Sequence, residues 1–411
     1  MPDLVYRFRT IKTLLEFHEL ERHQIYLAPP QALNDPMEGY KEVVLRGDAV
    51  LWENLLRHYV LALTWTMASF LVDDRPFAEP DIPAGLTSDD LPTDEFRAVY
   101  EQACDDFLRR SGPASLLRQL VALEHPLRRH GIRLVLSLLN SSAFSAVTST
   151  FQRHGLMPNS SEQVSSSLAA LDGEPEAFAR VLDDTSPDDL DTLAFAMNYV
   201  REQHSLRVLL DLERSGHGPH ARRVHYLFFR FPDRYVDGVI EGLVHPPWRT
   251  ACFTATCTNA SNWAAYADNH RGVALAFRPQ VEHGRLFIPL TGVTGSNWVK
   301  GTAPQPVKGK IKGDLHPVTY SSKPPEIEFF QSLGNLARAK LARAWHSNRA
   351  GEQSRLVEHI ISETAAWREE YWSAFHHVTT TKLEGLETRR RISHCDSGLT
   401  RSYRRPPPCG V

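Results

Sequence analysis

The sequence predicts an α+β fold: a small central β-sheet, built from the amino-terminal residues and from residues past 250, with a large helical insertion between the two contributions. Three observations point to it. A strand, a helix and a second strand fit within residues 4–28, which is how a mixed sheet domain opens. Strand character returns at Thr250–Ala255 and Gly272–Phe277. Between those halves, apolar residues recur at helical spacing.

Leu4–Arg9 alternates apolar residues with arginine, the period-two pattern of a strand. Thr10 is the N-cap of a helix expected over Ile11–Arg22. Gln24–Ala28 reads as a short strand, stopped by Pro29 and Pro30, and Gln31–Glu38 as a loop carrying the turn Asn34-Asp35-Pro36. Residues 49–71 are helical, and a Pro- and Asp-rich loop runs from Asp73 to Pro92. Helical patterns follow at Asp94–Arg110, Ala114–Leu123, Ile132–Leu139, Ser161–Leu171, Pro175–Leu182 and Asp188–Leu212. Residues 284–320 are rich in Gly, Pro and Lys, with short strands at Leu286–Leu290 and Pro317–Tyr320, and residues 326–377 are helical again. The expected organisation is a first half of the α/β core at 1–48, a mainly helical insertion at 49–245, a second half of the core at 246–385 and a disordered basic tail at 386–411.

A net charge of −3 over 411 residues leaves no overall basic field to draw in nucleic acid. The five cysteines, Cys104, Cys252, Cys257, Cys395 and Cys409, are odd in number and scattered, which argues against a disulfide framework and for a reducing cytoplasm. Cys252 and Cys257 lack further ligands at zinc spacing, so no metal site is expected. No apolar run approaches 18 residues and the start lacks a signal-peptide pattern, so a cytoplasmic protein with no membrane partner is expected. The sequence has no Walker loop, Rossmann fingerprint, Gly-x-Ser-x-Gly elbow or His-Glu-x-x-His motif.

The densest collection of reactive side chains is Trp263-Ala-Ala-Tyr266-Ala-Asp268-Asn269-His270-Arg271-Gly272. On a helix, Trp263, Tyr266 and His270 share one face, and Gly272 lets the chain leave it. That stripe is either an aromatic core or the wall of a cleft in which an aromatic ring stacks on a base and an imidazole donates to a phosphate. Arg7 and Arg9 share a strand face. Two adjacent guanidiniums call for an anion: a phosphate or carboxylate ligand, or acidic residues on a neighbouring strand. Asn34 and Asp35 either serve the turn alone or sit at a pocket mouth. Lys308, Lys310 and Lys312 alternate with residues that include Gly309 and Gly313 and read as a small solvated basic loop.

Taken in order, Tyr6-Arg7-Phe8-Arg9, Ile25-Tyr26-Leu27, Asn34-Asp35-Pro36, Cys252-Phe253-Thr254, the Trp-x-x-Tyr-Ala-x-x-His-x-Gly run from Trp263 to Gly272 and Val318-Thr319-Tyr320 resemble the bacterial family known as domain of unknown function 2971. The likeness covers residues 1–45 and 248–385 and leaves out the helical middle. The family pattern ends with a Lys, a Trp and a Glu-x-Glu-Tyr/Trp-Arg strand. Lys382 is in place, whereas the following residues read Gly385-Leu-Glu-Thr-Arg-Arg-Arg-Ile-Ser-His-Cys395. One codon choice for Leu386–Cys395, shifted forward by one base, reads Trp-Lys-His-Glu-Glu-Glu-Tyr-Arg-Ile. The expectation is a reading frame lost near Leu386, with the tail an out-of-frame product.

A first-strand Arg, an aromatic and histidine segment after a central strand, and a late Glu strand are also similar in order to ADP-ribosyltransferases. That likeness implies NAD as cofactor, Arg7 or Arg9 on its phosphates, and Tyr266 or His270 holding the ring or ribose as catalytic residues. Asn34, Asp35 and Trp263 are the remaining ligand-binding candidates. The late carboxylate would stabilise an oxocarbenium-like state, so a copy without it is expected to be inactive. The alternative expectation is a non-catalytic module that senses a nucleotide or a nucleic-acid end in a bacterial defence or stress system. Its helical insertion would then contact a nucleic acid or protein partner.

Overall fold

A computed structural model describes residues 2–33, 37–73, 75, 77–158, 178, 182, 185–214, 218–297, 305–334, 336–383 and 390–395. It is a mixed α+β chain, 52% helix and 19% strand. The strands in chain order are β1 (Val5–Arg9), β2 (Glu42–Val44), β3 (Trp248–Phe253), β4 (Val273–Phe277), β5 (Gln280–Glu282), β6 (Arg285–Asn297), β7 (Gln305–Pro317), β8 (Thr319–Ser321), β9 (Glu326–Glu328), β10 (Thr381–Leu383) and β11 (Arg390–Cys395). The chain divides into two compact units, one of residues 1–41, 246–325 and 373–411, the other of residues 42–245 and 326–372.

The first unit holds most of the strands. β1 pairs antiparallel with β4 and bridges at Tyr6 to Thr254, just past β3. β3, β11, β7, β6 and β5 form one sheet in that order. Val5, Ala251, Phe253, Leu286, Ile288 and Leu315 close the core, with Ile25, Leu27, Phe277 and Leu290 packed at its margin. Alternation explains the choice: Val5 is the inward residue of β1, and Ala251 and Phe253 those of β3. The expected strand at Gln24–Ala28 amounts to one bridge, Ala28 to Thr250.

The end of the chain departs from expectation. Disorder was expected throughout 386–411, yet Arg390–Cys395 forms β11, antiparallel to β3 over its whole length and to β7 at Arg390–Ile392. The physical reason lies in the slot. β3 presents a row of backbone donors and acceptors, and a proline-free segment pairs with that row along its length and with the end of β7 at Leu315–Pro317. The rest of the tail lies outside the described residues.

The second unit is helical. Helix Ala49–Val72 is buried along most of its length, from Val50 to Met67. Asp48 caps it by accepting from Leu51 N at 3.1 Å. Helix Arg129–Arg153 runs well beyond the predicted Ile132–Leu139. Both are long and apolar enough to cross a membrane, a feature missed in the sequence, but 67% and 61% of their most apolar windows are buried inside the unit, where they form its core. Ser161–Leu171 lies outside the described residues, as does most of Pro175–Leu182.

Polar side chains fasten this core. Tyr59 donates to Asn140 Oδ1 at 2.6 Å, and Asn140 Nδ2 donates to the carbonyls of Leu227 and Phe228 at 2.8 and 2.9 Å. Those carbonyls belong to the π-helical stretch Tyr226–Arg230, whose wide turn leaves acceptors that an α-helical ladder would have used. Asn54 Nδ2 donates to Trp345 O and Ser347 O at 2.9 and 3.0 Å. Residues 326–372 therefore belong here, not in the second half of a sheet core as expected. β9 pairs in parallel with β2, and Phe330 and Trp345 pack edge-on and tilted against Trp52 and His58.

His58 lies between Tyr235 Oη, 2.8 Å from Nδ1, and Leu86 O, 3.0 Å from Nε2. His346 meets Ser354 Oγ at 2.8 Å. Burial disfavours the charged ring and lowers both from 6.5 to about 4. Their contribution to stability is intact above pH 6.5 and is lost as pH falls from there towards 4, at about 1.4 kcal/mol per pH unit for each ring. Urea unfolding at pH 7 and pH 5 is expected to show a markedly lower midpoint at pH 5, with His346→Gln reducing the pH slope by about a third, since burial lowers His376 to about 4 as well.

Candidate functional site

Alternation along β1 decides what meets what. Val5, Arg7 and Arg9 point to one face, Tyr6 and Phe8 to the other. Arg7 is 7% exposed. Its Nη2 donates to Tyr26 O at 2.6 Å, while Nη1 is buried with no acceptor among the described residues. Burial, and then the neighbouring charge of Arg9, lower its pKa from 12.5 to about 10, with Glu19 and Cys252 acting in the opposite direction. The guanidinium is thus charged at neutral pH and incompletely satisfied.

Arg9 has a complete partner. Nε reaches Glu19 Oε2 at 2.9 Å and Nη2 reaches Oε1 at 2.5 Å, a bidentate fork on a carboxylate whose side chain is 3% exposed. The anion supplied to Arg9 is therefore internal. Glu19 reaches it because the first helix stops at Glu16 instead of continuing to the predicted Arg22. Left-handed His18 and His23, with φ of 52° and 48°, bracket the turn that carries Glu19 inward.

The aromatic and histidine segment takes a different form from the expected stripe. The helix is short, Ala260–Tyr266, capped by Asn259 Oδ1. Trp263 is half-buried, packs edge-on against Phe8 with centroids 5.0 Å apart, and donates from Nε1 to Cys257 O at 2.6 Å. Tyr266 ends the helix and is half-buried. Asp268, Asn269 and His270 are all left-handed, with φ of 50°, 50° and 68°, so His270 falls past the helix and is exposed. Gly272 is not left-handed. It is required by close approach, because a Cβ there would lie 2.3 Å from Arg9 O.

These placements separate the candidates. Arg7 and Arg9 lie on the Val5 face of β1, and Trp263 packs on the Phe8 face. Asn34 and Asp35 lie outside the described residues. On the Arg7 side, the sequence reading missed Tyr26 and Phe17. Their rings are 51% and 53% exposed, nearly parallel at 9°, with centroids 6.4 Å apart. It also missed a buried ion pair, Lys382 Nζ to Glu38 Oε1 at 3.0 Å, with side chains 6% and 3% exposed. Lys382 stands opposite Tyr320 where β10 pairs in parallel with β8. Exposed Phe17 and Tyr26, close in sequence to a buried Arg strand, were the available signal for the first. Nothing local signals the second.

Among the described residues no group of three or more His, Cys, Asp or Glu could hold a metal. Cys104, Cys252 and Cys257 are free thiols. A shallow depression in the helical unit, lined by Asp94, Arg97, Glu101, Gln102, Asp105 and Arg349, contains none of the candidate residues. Its charges are internally matched, Arg349 lying 3.0 Å from Asp105 and 3.4 Å from Glu101. No family model, curated protein or solved structure matches the chain.

Three substitutions test these pairs. Arg9→Ala leaves the Glu19 carboxylate buried and uncompensated and is expected to destabilise by about 3 kcal/mol, read by urea unfolding. Lys382→Met is expected to cost a similar amount, about 3 kcal/mol, and Glu38→Gln in the same chain to recover at least half, which a double-mutant cycle measures.

Proposed function

We propose that the sheet unit is a nucleotide-binding module of the type used by NAD-dependent transferases, as found in the ADP-ribosyltransferase-like reading of the sequence, and that this chain binds its ligand without turning it over. The observation that carries the reading is Arg7, a buried cation with one donor on Tyr26 O and another, Nη1, without an acceptor among the described residues. A buried guanidinium left incomplete is costly, and a phosphate oxygen is the partner its planar fork fits best.

Two further features support the proposal. The residue whose carbonyl receives Arg7 also exposes its ring, parallel to Phe17. Half-exposed parallel rings offer a stacking surface to a nicotinamide or purine. The ring-holding role first expected of Tyr266 and His270 thus passes to Tyr26 and Phe17. The second feature is register: β11 sets Arg390 opposite Phe253 and Arg391 opposite Cys252 on β3. The one-base shift that restores the family ending puts glutamates at 389, 390 and 391. A late carboxylate would therefore enter beside β3, the strand whose Cys252 acts on Arg7. In this chain those three residues are arginine, and membership of the family resembled, with a lost frame, belongs to the same proposal.

Thermal-shift titration with NAD tests it. At about a hundredfold excess over Kd, bound ligand adds about 2.7 kcal/mol, a rise of about 5 °C. Arg7→Met is expected to fold at least as stably as the parent and to show no rise. The absence of a shift in the parent, or an equal shift in Arg7→Met, overturns the reading. Release of nicotinamide by this chain overturns its non-catalytic part.

A further inference from the structure

The Gly- and Lys-rich stretch read in the sequence as a basic loop is a strand. β7 pairs antiparallel with β6 from Phe287 opposite Asp314 out to Asn297 opposite Gln305. β5 covers β6 only at Arg285–Phe287, and β11 covers β7 only at Leu315–Pro317. Outward from there, among the described residues, the hairpin is a two-stranded ribbon with both edges unpaired.

Its two faces differ. Period-two alternation puts Lys308, Lys310 and Lys312 on one face, opposite Val293, Thr291 and Pro289 in register. Cross-strand lysines on a solvated ribbon are ordinarily matched by carboxylates, and here every cross-strand neighbour is neutral. Lys312 has a counter-charge in Glu282 and lies over the Phe287 ring, 5.2 Å from its centroid. Lys308 and Lys310, both exposed, have no acidic partner among the described residues. Over β6 and β7 as described, four Lys and Arg residues face one carboxylate, Asp314. The other face covers itself. The space a Cβ would take at Gly292 is filled by Ile311, and that at Gly309 by Thr294, at the register shift between Val293 and Gly295. One charge is enough to discourage edge-to-edge pairing of strands; the two uncompensated lysines, Lys308 and Lys310, are more than that task needs.

We propose that the lysine face of the β6–β7 ribbon binds the sugar-phosphate backbone of duplex nucleic acid. Lysines two residues apart on a strand stand about 6.7 Å from one another, close to the step between neighbouring phosphates along one backbone strand. A two-stranded ribbon is also an element that the major groove admits. The net charge of −3 does not prevent this, because at physiological salt fields are screened beyond about 8 Å and only the local row is felt. The contact is independent of the Arg7 site and carries no sequence preference of its own.

The test is fluorescence anisotropy of a labelled DNA duplex, with the full chain and the double variant Lys308→Gln/Lys310→Gln. Lys312 is retained because it is paired. With two phosphates neutralised, raising salt from 50 to 200 mM is expected to weaken binding by about twelvefold, and the variant is expected to lose most of the affinity and most of that salt dependence. Thermal melting of the variant should match the parent, since both side chains are exposed. Absence of duplex binding at 50 mM salt, equal binding by parent and variant, or binding of poly-glutamate but not duplex overturns the proposal. The last outcome assigns the face to an acidic protein.

Discussion

The sheet unit depends on how β1 is held. It pairs with β4 along its length and touches the end of β3 at one bridge, and that position fixes which way each of its five side chains points. Val5 enters the apolar core, Phe8 receives Trp263, and the two arginines are forced to the same side as Val5, where water is scarce. A strand that buries one guanidinium and largely covers a second must find anions for them. The fold supplies one, Glu19, through a turn that ends the first helix early. The asymmetry between a satisfied Arg9 and an incomplete Arg7 is the electrostatic fact on which the functional reading rests.

Much of the fold was legible because it rests on local patterns. Alternation marked β1, and continuous helical spacing marked Ala49–Val72 and the helix Pro187–Arg214. What escaped was set by distant partners. The placement of residues 326–372 follows from β2 pairing with β9 and from Phe330 and Trp345 entering a helical core, contacts with residues far away in sequence. β11 forms from residues with little apolar character because two other strands leave a gap for it. The lysine run looked like a loop because glycine weakens strand propensity, yet pairing with β6 overrides that preference.

The candidate site was partly legible. Arg7 and Arg9 were recognised, and so was their need for an anion. The error lay in extending a helical face through Asp268, Asn269 and His270. Periodicity assumes right-handed backbone, and three consecutive left-handed residues end that assumption at Tyr266. The glycine taken as the exit from the helix serves instead to let the chain pass the carbonyl of Arg9. Polar groups of the helical unit, His58, Tyr59, Asn140 and Asn54, could be seen as buried only once their carbonyl and hydroxyl partners were known.

The position of β11 has a consequence for how the protein is made. β3 waits for a neighbour about 140 residues further along the chain, which at ribosomal speeds of about 5–20 residues per second is a delay of roughly 7–28 seconds. Throughout that interval the inner edge of β3 stands open, and for its later part that of β7 as well, each a template for a foreign strand. In the folded sheet β11 is the plug that ends the exposure.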